Sequence, residues 1–181
     1  PLYKTIDILH QDLFFPVIYN NSNDNIIRIM EILVSYGAKF DDYVVHIFWS
    51  KFNTVILVDA EDSIGGGSAG DSPSILKALA EKELQFSALT YIVDPRVVEE
   101  AKSVGLNKNA VFKIGGYKDK RFHSTIEITA TVESFHNGEF VYEGGPLEGM
   151  KASLGPSVIL MKKNLKILVV TNSVYENKDE H

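Results

Sequence analysis

A chain of 181 residues that is 45% hydrophobic and 23% charged suits one domain, or a domain with a short appendage, and excludes a disordered tail. No apolar run nears the roughly 20 residues that cross a bilayer, and no basic-then-apolar signal segment opens the chain; with no cysteine, disulfides and thiolate chemistry are excluded and the cytoplasm is the expected location. The net charge is −6 with lysines and arginines scattered rather than striped, so neither nucleic acid nor a membrane surface is expected as a partner.

In chain order, "LFFPVIYN" reads as a strand, and "SNDNIIRIMEILVSYG" as a helix with Ile26, Met30 and Leu33 on one face and Gly37 as its stop. "FDDYVVHIFWSKFN" favours a strand by composition. Yet Val45, Phe48, Trp49 and Phe52 fall at i, i+3, i+4, i+7, and the spacing predicts a short helix. "TVILVDA" is a continuous apolar run, as expected of a strand buried on both faces. A helix follows, with Ser72 as cap and Pro73 at its first position, where a missing N–H costs nothing; Ile75, Leu76 and Leu79 form its buried stripe. "SALTYIVD" is the next strand. Asp94-Pro95 repeats the cap-plus-proline signal before "RVVEEAKSVG", and "AVFKI" completes a βαβαβ order that implies a mostly parallel sheet.

After Gly115-Gly116 the period changes. Ile126, Ile128, Ala130 and Val132 alternate with polar residues, which fits a strand wet on one face. Asn137-Gly138 predicts a tight hairpin turn into "EFVYEG", and "SVILM" with "LKILVV" a second hairpin. The expected class is α/β: a mostly parallel sheet with flanking helices over the first two thirds, antiparallel hairpins over the last third.

The stretch "VDAEDSIGGGSAGDSP" leaves the carboxyl end of a strand, where open α/β sheets bind ligands. Gly65, Gly67 and Gly70 match G-x-G-x-x-G, and Asp94 stands 24 residues on, near where a ribose-binding acid is sought. Against a dinucleotide module, "EDSI" separates strand from glycines, and Asp71 occupies the place of the pyrophosphate. A phosphate loop fails likewise, since Asp71 replaces its lysine. Asp59, Glu61, Asp62 and Asp71 could offer oxygens to magnesium or calcium. The plainer reading is that Asp71 helps cap a helix and the glycines let the backbone turn sharply or approach another surface closely. Among five histidines there is no paired spacing; His123 stands out because Lys118, Lys120 and Arg121 beside two glycines could meet an anionic group. No G-x-S-x-G elbow exists.

The run from "TVILVDAEDSIGGGSAGDSPSILKALAEK" through "LTYIVDPRVVEEAKSVG", "KIGG", "FHNGEFVYEGGP" and "LGPSVILMKKNLKILVVTNS" resembles the C-terminal domain of the MlrC family, the microcystin LR degradation proteins. Several motifs agree in order over about residues 54–173: a triple-glycine, Gly-Asp signature after a strand, an Asp-Pro helix start, a Gly-Gly and a β-rich tail. Ser63-Ile64 stand where the family has Asn-Pro. The resemblance implies a zinc metallopeptidase or related amidohydrolase acting through a metal-activated water, with the zinc ligands in an N-terminal domain. No catalytic residue and no metal ligand carries over to this chain. Residues 1–53 are then the tail of that N-terminal region and 54–181 a shortened C-terminal domain packed as one globule. The expected partners are an MlrC-like N-terminal domain or another copy of the chain. Carried over are Asp62, Gly65, Gly66, Gly67, Gly70 and Asp71 as a substrate or domain-interface loop, with Asp94, Gly115, Gly116 and His123 as secondary contacts. The competing expectation is a Rossmann-like module binding NAD through the 65–70 loop.

Overall fold

The computed structural model describes residues 17–19, 45–49 and 54–59 as backbone, then 62, 64–84, 86–118, 120, 123–143 and 147–174. The helix expected at 22–37 lies outside these residues. Among the described residues ten strands and two helices follow in the order β1 (Val17–Tyr19), β2 (Val45–Trp49), β3 (Thr54–Asp59), α1 (Ser74–Ala80), β4 (Ser87–Val93), α2 (Pro95–Val104), β5 (Asn109–Ile114), β6 (Ile126–His136), β7 (Glu139–Val141), β8 (Lys151–Ser153), β9 (Ser157–Lys162) and β10 (Leu165–Val170).

Eight of these strands form one sheet in the order β2-β3-β1-β4-β10-β9-β6-β5. The α/β class stands, but the expected mostly parallel arrangement does not: among the described strands β4 and β10 are the one parallel pair, and every other pairing in the sheet is antiparallel. The reason is insertion. β1 lies between β3 and β4, and the β9–β10 hairpin lies between β4 and β6, so neither βα unit places its two strands side by side. A βαβ order in sequence says which strand comes next, and nothing of what later slides between them.

Two further expectations are corrected. The segment expected as a short helix is β2, paired antiparallel with β3 from Val45↔Asp59 to Trp49↔Val55. Its helical spacing is the by-product of a nearly continuous apolar run, and its β-branched and aromatic residues, given an adjacent strand to pair with, settle as a strand. Asn137-Gly138 does not close a hairpin: β6 pairs with β5 and β9, whereas β7 pairs with β8 in a separate two-stranded sheet. Gly138, at φ +75, instead passes against Gly155, whose backbone would collide with any side chain there. The β9–β10 hairpin forms as expected, turning through Lys163 at φ 54.

The period-two pattern of β6 holds. Ile128, Ala130 and Val132 are buried, as are Phe112 and Ile114 of β5, Leu160 of β9 and Ile167 and Val169 of β10. Leu76 and Leu79 of α1 and Val97, Val98 and Ala101 of α2 complete this core. Such packing rests on the transfer of apolar surface from water, roughly 25 cal/mol per Å².

β6 also sets the shape of the sheet. Its register slips between Val132 and Ser134, and a bulge of this kind bends a strand. Thr131 is level with Met161, Lys166 and Leu89. From that level Val93 lies four residues toward one end, and Ile114, paired with Ile126, five toward the other. In a flat sheet nine residues would separate them by about 30 Å. Yet the amide of Gly115 lies 2.9 Å from the Asp94 carboxylate. The β5–β6 half is therefore folded over, and the end of β5 returns to the end of β4.

Phe112→Ala is expected to destabilise the chain by about 3–5 kcal/mol, and Val111→Ala, one residue away on the exposed face, by less than about 0.5 kcal/mol. Urea denaturation of both variants checks which face of β5 is inside.

Candidate functional site

At the carboxyl ends of the parallel β4–β10 pair, three backbone turns are held by three aspartates. The first is the glycine loop over residues 62–73, the second the β4–α2 turn at Asp94, the third the segment 115–118 that leaves β5. Such a position is where α/β sheets gather their ligands.

Asp94 is the centre of the arrangement. Its side chain is fully buried (0% exposed) and every oxygen is used. Oδ1 accepts from the Arg96 amide at 3.2 Å and from Arg96 Nε at 3.0 Å; Oδ2 accepts from Arg96 Nη2 at 2.8 Å and from the Gly115 amide at 2.9 Å. It thus caps α2, with Pro95 at the first helical position, and ties that helix start to the end of β5. Its own amide donates to Val170 O at 3.0 Å, which fixes the turn to the end of β10.

Asp71, also buried, faces the same junction. Its Oδ2 accepts from the amides of Tyr117 and Lys118, both at 2.9 Å, and its carbonyl accepts from the Gly116 amide at 2.7 Å. The plain expectation that Asp71 caps a helix is thus replaced by a long-range role. Helix α1 begins one residue later than expected, at Ser74, with Pro73 at the capping position and Ser72 Oγ 3.4 Å from the Ser74 amide. Gly115 has to be glycine: at φ +67, an added Cβ would stand 2.7 Å from Asp71 O and from Ile92 Cδ1.

Asp62 organises the glycine loop from within. Oδ1 accepts from Ser68 Oγ at 2.8 Å and the Gly70 amide at 3.0 Å, and Oδ2 from the Ser72 amide at 2.6 Å. Gly70 O in turn accepts from the Val93 amide at 2.8 Å, which fastens the loop to β4. Ile64, standing where a proline was expected from the resemblance, fills the space over Gly70, since a Cβ at Gly70 would lie 2.6 Å from Ile64 Cδ1. The tip itself stays outside: Gly66, Gly67 and Ser68 are exposed, Gly65 and Gly70 half-buried, and an added Cβ at Gly67 would meet nothing within 4 Å.

The sites expected from sequence therefore converge on one rim. Two residues that sequence reasoning passed over complete it. The Arg96 guanidinium stacks over the Tyr117 ring, 4.0 Å from its centroid, and its hydrogen bonds to Asp94 hold its pKa above the ordinary arginine value. Burial pushes the Tyr117 phenol up as well, with the charges of Asp94 and Asp71 adding to the effect and Arg96 opposing it. Their signal was local: an arginine two residues after a capping aspartate, and an aromatic directly after Gly-Gly. His123 joins the edge, its Nδ1 3.5 Å from Ser72 Oγ.

The arrangement bears on the cofactor expectations. Asp94 is enclosed and fully bonded, which leaves it no oxygen for a ribose hydroxyl. Asp62 spends both oxygens on N–H and O–H donors, and Asp71 spends Oδ2 on two amides. Among the described residues no group of three or more metal-ligating side chains is arranged to hold an ion, so these residues do not fit a zinc ligand set. No described helix is long and apolar enough to cross a membrane.

Residues 57–179, more than half of the chain, match the family described as MlrC C-terminus. The chain belongs to the MlrC family. Microcystinase C of Sphingomonas sp. is 28% identical over 115 residues, which is 64% of this chain and 22% of that protein. A crystal structure described as "Putative metallopeptidase" from Mesorhizobium sp. BNC1 superposes with a TM-score of 0.54 at 16% identity, covering 88% of this chain and 46% of that one. The chain thus spans less than half the length of either relative, and the second likeness is one of fold. The rim lies inside the MlrC match, from the glycine loop to the turn after β5.

Asp94→Ala removes a helix cap and the anchor of Gly115 together, and is expected to cost about 3 kcal/mol by chemical denaturation. Gly115→Ala should cost about 2 kcal/mol or more, from a left-handed backbone and a crowded Cβ, and Gly67→Ala only about 1 kcal/mol, from the backbone alone. A folded-state Tyr117 pKa raised above its unfolded value contributes stability that is complete below pH of about 10 and is lost as pH climbs through the folded value. Tyr117→Phe should therefore flatten the alkaline loss of stability, as thermal melts from pH 9 to 12 would show.

Proposed function

We propose that this chain is the accessory C-terminal portion of an MlrC-type hydrolase acting on peptide-like amide bonds. In this reading the aspartate-held rim lines a cleft shared with a second domain, and that domain carries the zinc. The family match supports the reading, and the observation that carries it is the exposed glycine tip on a rigid base. A loop tied down by Asp62, Asp71 and Asp94 ends in Gly66, Gly67 and Ser68 on the surface. Bare backbone of that kind lets another surface or an extended substrate approach within hydrogen-bonding distance.

The carboxylates of the rim act on the protein itself. Asp71 and Asp94 fix where Tyr117, Lys118 and Arg96 stand, so those side chains meet a ligand without first being ordered. What this chain contributes is position and shape, and the bond-breaking chemistry resides in the partner domain. A Rossmann-like NAD site has the spacing of its glycines but lacks the acid it needs, which is enclosed at Asp94.

The chain alone, given zinc and a linear peptide substrate, should show no turnover above buffer; clear hydrolysis would overturn the accessory role. Addition of an MlrC N-terminal domain should restore it, and Gly67→Trp, which crowds the open tip while sparing the core, should reduce that restored rate at least tenfold. Unchanged rates in the Gly67→Trp protein would remove the tip from the shared cleft.

A further inference from the structure

We propose that Arg96, Tyr117 and Lys118 form an anion subsite on the rim that takes a carboxylate group of the ligand. The choice of a peptide carboxylate rests on the hydrolase reading above; the anion preference itself rests on the geometry.

Arg96 is fixed in an unusual way for a half-exposed side chain. Asp94, wholly buried beneath it, engages Nε and Nη2, and the guanidinium plane lies 4.0 Å above the centre of the Tyr117 ring. This leaves Nη1 without a partner among the described residues, at the outer edge of a side chain that is 49% exposed. An arginine whose fork is already oriented loses little freedom on binding, and its planar N–H groups match a carboxylate.

A second cation stands near the same ring. Lys118 is placed by its own amide, which donates to Asp71, and its Nζ lies 6.0 Å from the Tyr117 centroid and 3.5 Å from Ala69 O at the foot of the glycine tip. Neither Lys118 nor the exposed Lys120 has an ion-pair partner among the described residues. The two buried acids are turned inward, Asp94 onto Arg96 and Asp71 Oδ2 onto two backbone amides. What faces outward is the unpaired edge of the Arg96 guanidinium and the exposed Lys118, two cationic donors beside one ring that an anion can meet together. Lys118, the first residue of the basic segment noted in the sequence, thus finds a use that the accessory role alone did not give it.

The test follows amide and Arg96 side-chain resonances of the nitrogen-15-labelled full chain by NMR. Acetyl-Ala-Leu with a free carboxylate, the same peptide as its C-terminal amide, and inorganic phosphate are added in turn. The free acid should shift Arg96, Tyr117 and Lys118 saturably, with the amide about tenfold weaker or more. Arg96→Lys keeps charge and loses the fork, and should weaken the acid about tenfold; Lys118→Gln, an exposed change expected to leave Tm unaltered, should weaken it about threefold. Equal response to acid and amide, phosphate preferred over the acid, silence to all three, or variants that bind as wild type would overturn the proposal. Any of these leaves the accessory role standing, since that role is judged by turnover in the presence of the partner domain.

Discussion

The whole rim depends on one enclosed carboxylate. Taking the charge of Asp94 out of water is unfavourable unless each oxygen finds donors, and here the donors come from two directions: Arg96 on its own helix, and Gly115 at the end of a strand 21 residues further on. Because a buried charge has to keep those partners, the turn after β4 and the turn after β5 are held as one object. Gly115 can serve only because it lacks a side chain, since Asp71 O and Ile92 already occupy the space. Asp71 then repeats the device one step outward, on Tyr117 and Lys118.

That junction exists because the sheet curls. The irregularity between Val132 and Ser134 lets β6 pair with β5 along its first half and with β9 along its second. The fold-over brings Phe112 and Ile114 into the same interior as the α2 residues Val97, Val98 and Ala101. Apolar burial drives the curl, and the hydrogen bonds to Asp94 and Asp71 decide where it stops. Core and rim are therefore coupled: the packing that stabilises the domain also delivers Tyr117 under Arg96.

An acid-rich loop suggests metal binding when read as composition, whereas its acids among the described residues are engaged within the chain. Asp62 and Asp94 turn both carboxylate oxygens, and Asp71 its Oδ2, toward N–H or O–H groups of the chain, so they serve as internal anchors. The side chains left facing outward are an oriented guanidinium, a lysine and an aromatic ring. All of them lie within the stretch that matches the MlrC C-terminus.

The sequence by itself determined several features that local chemistry controls. Asp94-Pro95 opened a helix and Gly105 closed it, the alternation in β6 named its buried face, and the glycine signature marked the rim and its family. These were legible because a cap, a two-residue period or a left-handed turn is specified within a few neighbouring residues. Only the tertiary structure decided which strands became neighbours, and so overturned the mostly parallel sheet, the helix at β2 and the hairpin at Asn137-Gly138. It alone also gave Asp71 and Asp94 their distant partners and revealed Arg96 and Tyr117 as members of the site. Strand pairing and the partners of a buried charge are settled by long-range burial and hydrogen-bond satisfaction, and no short window of residues contains that information.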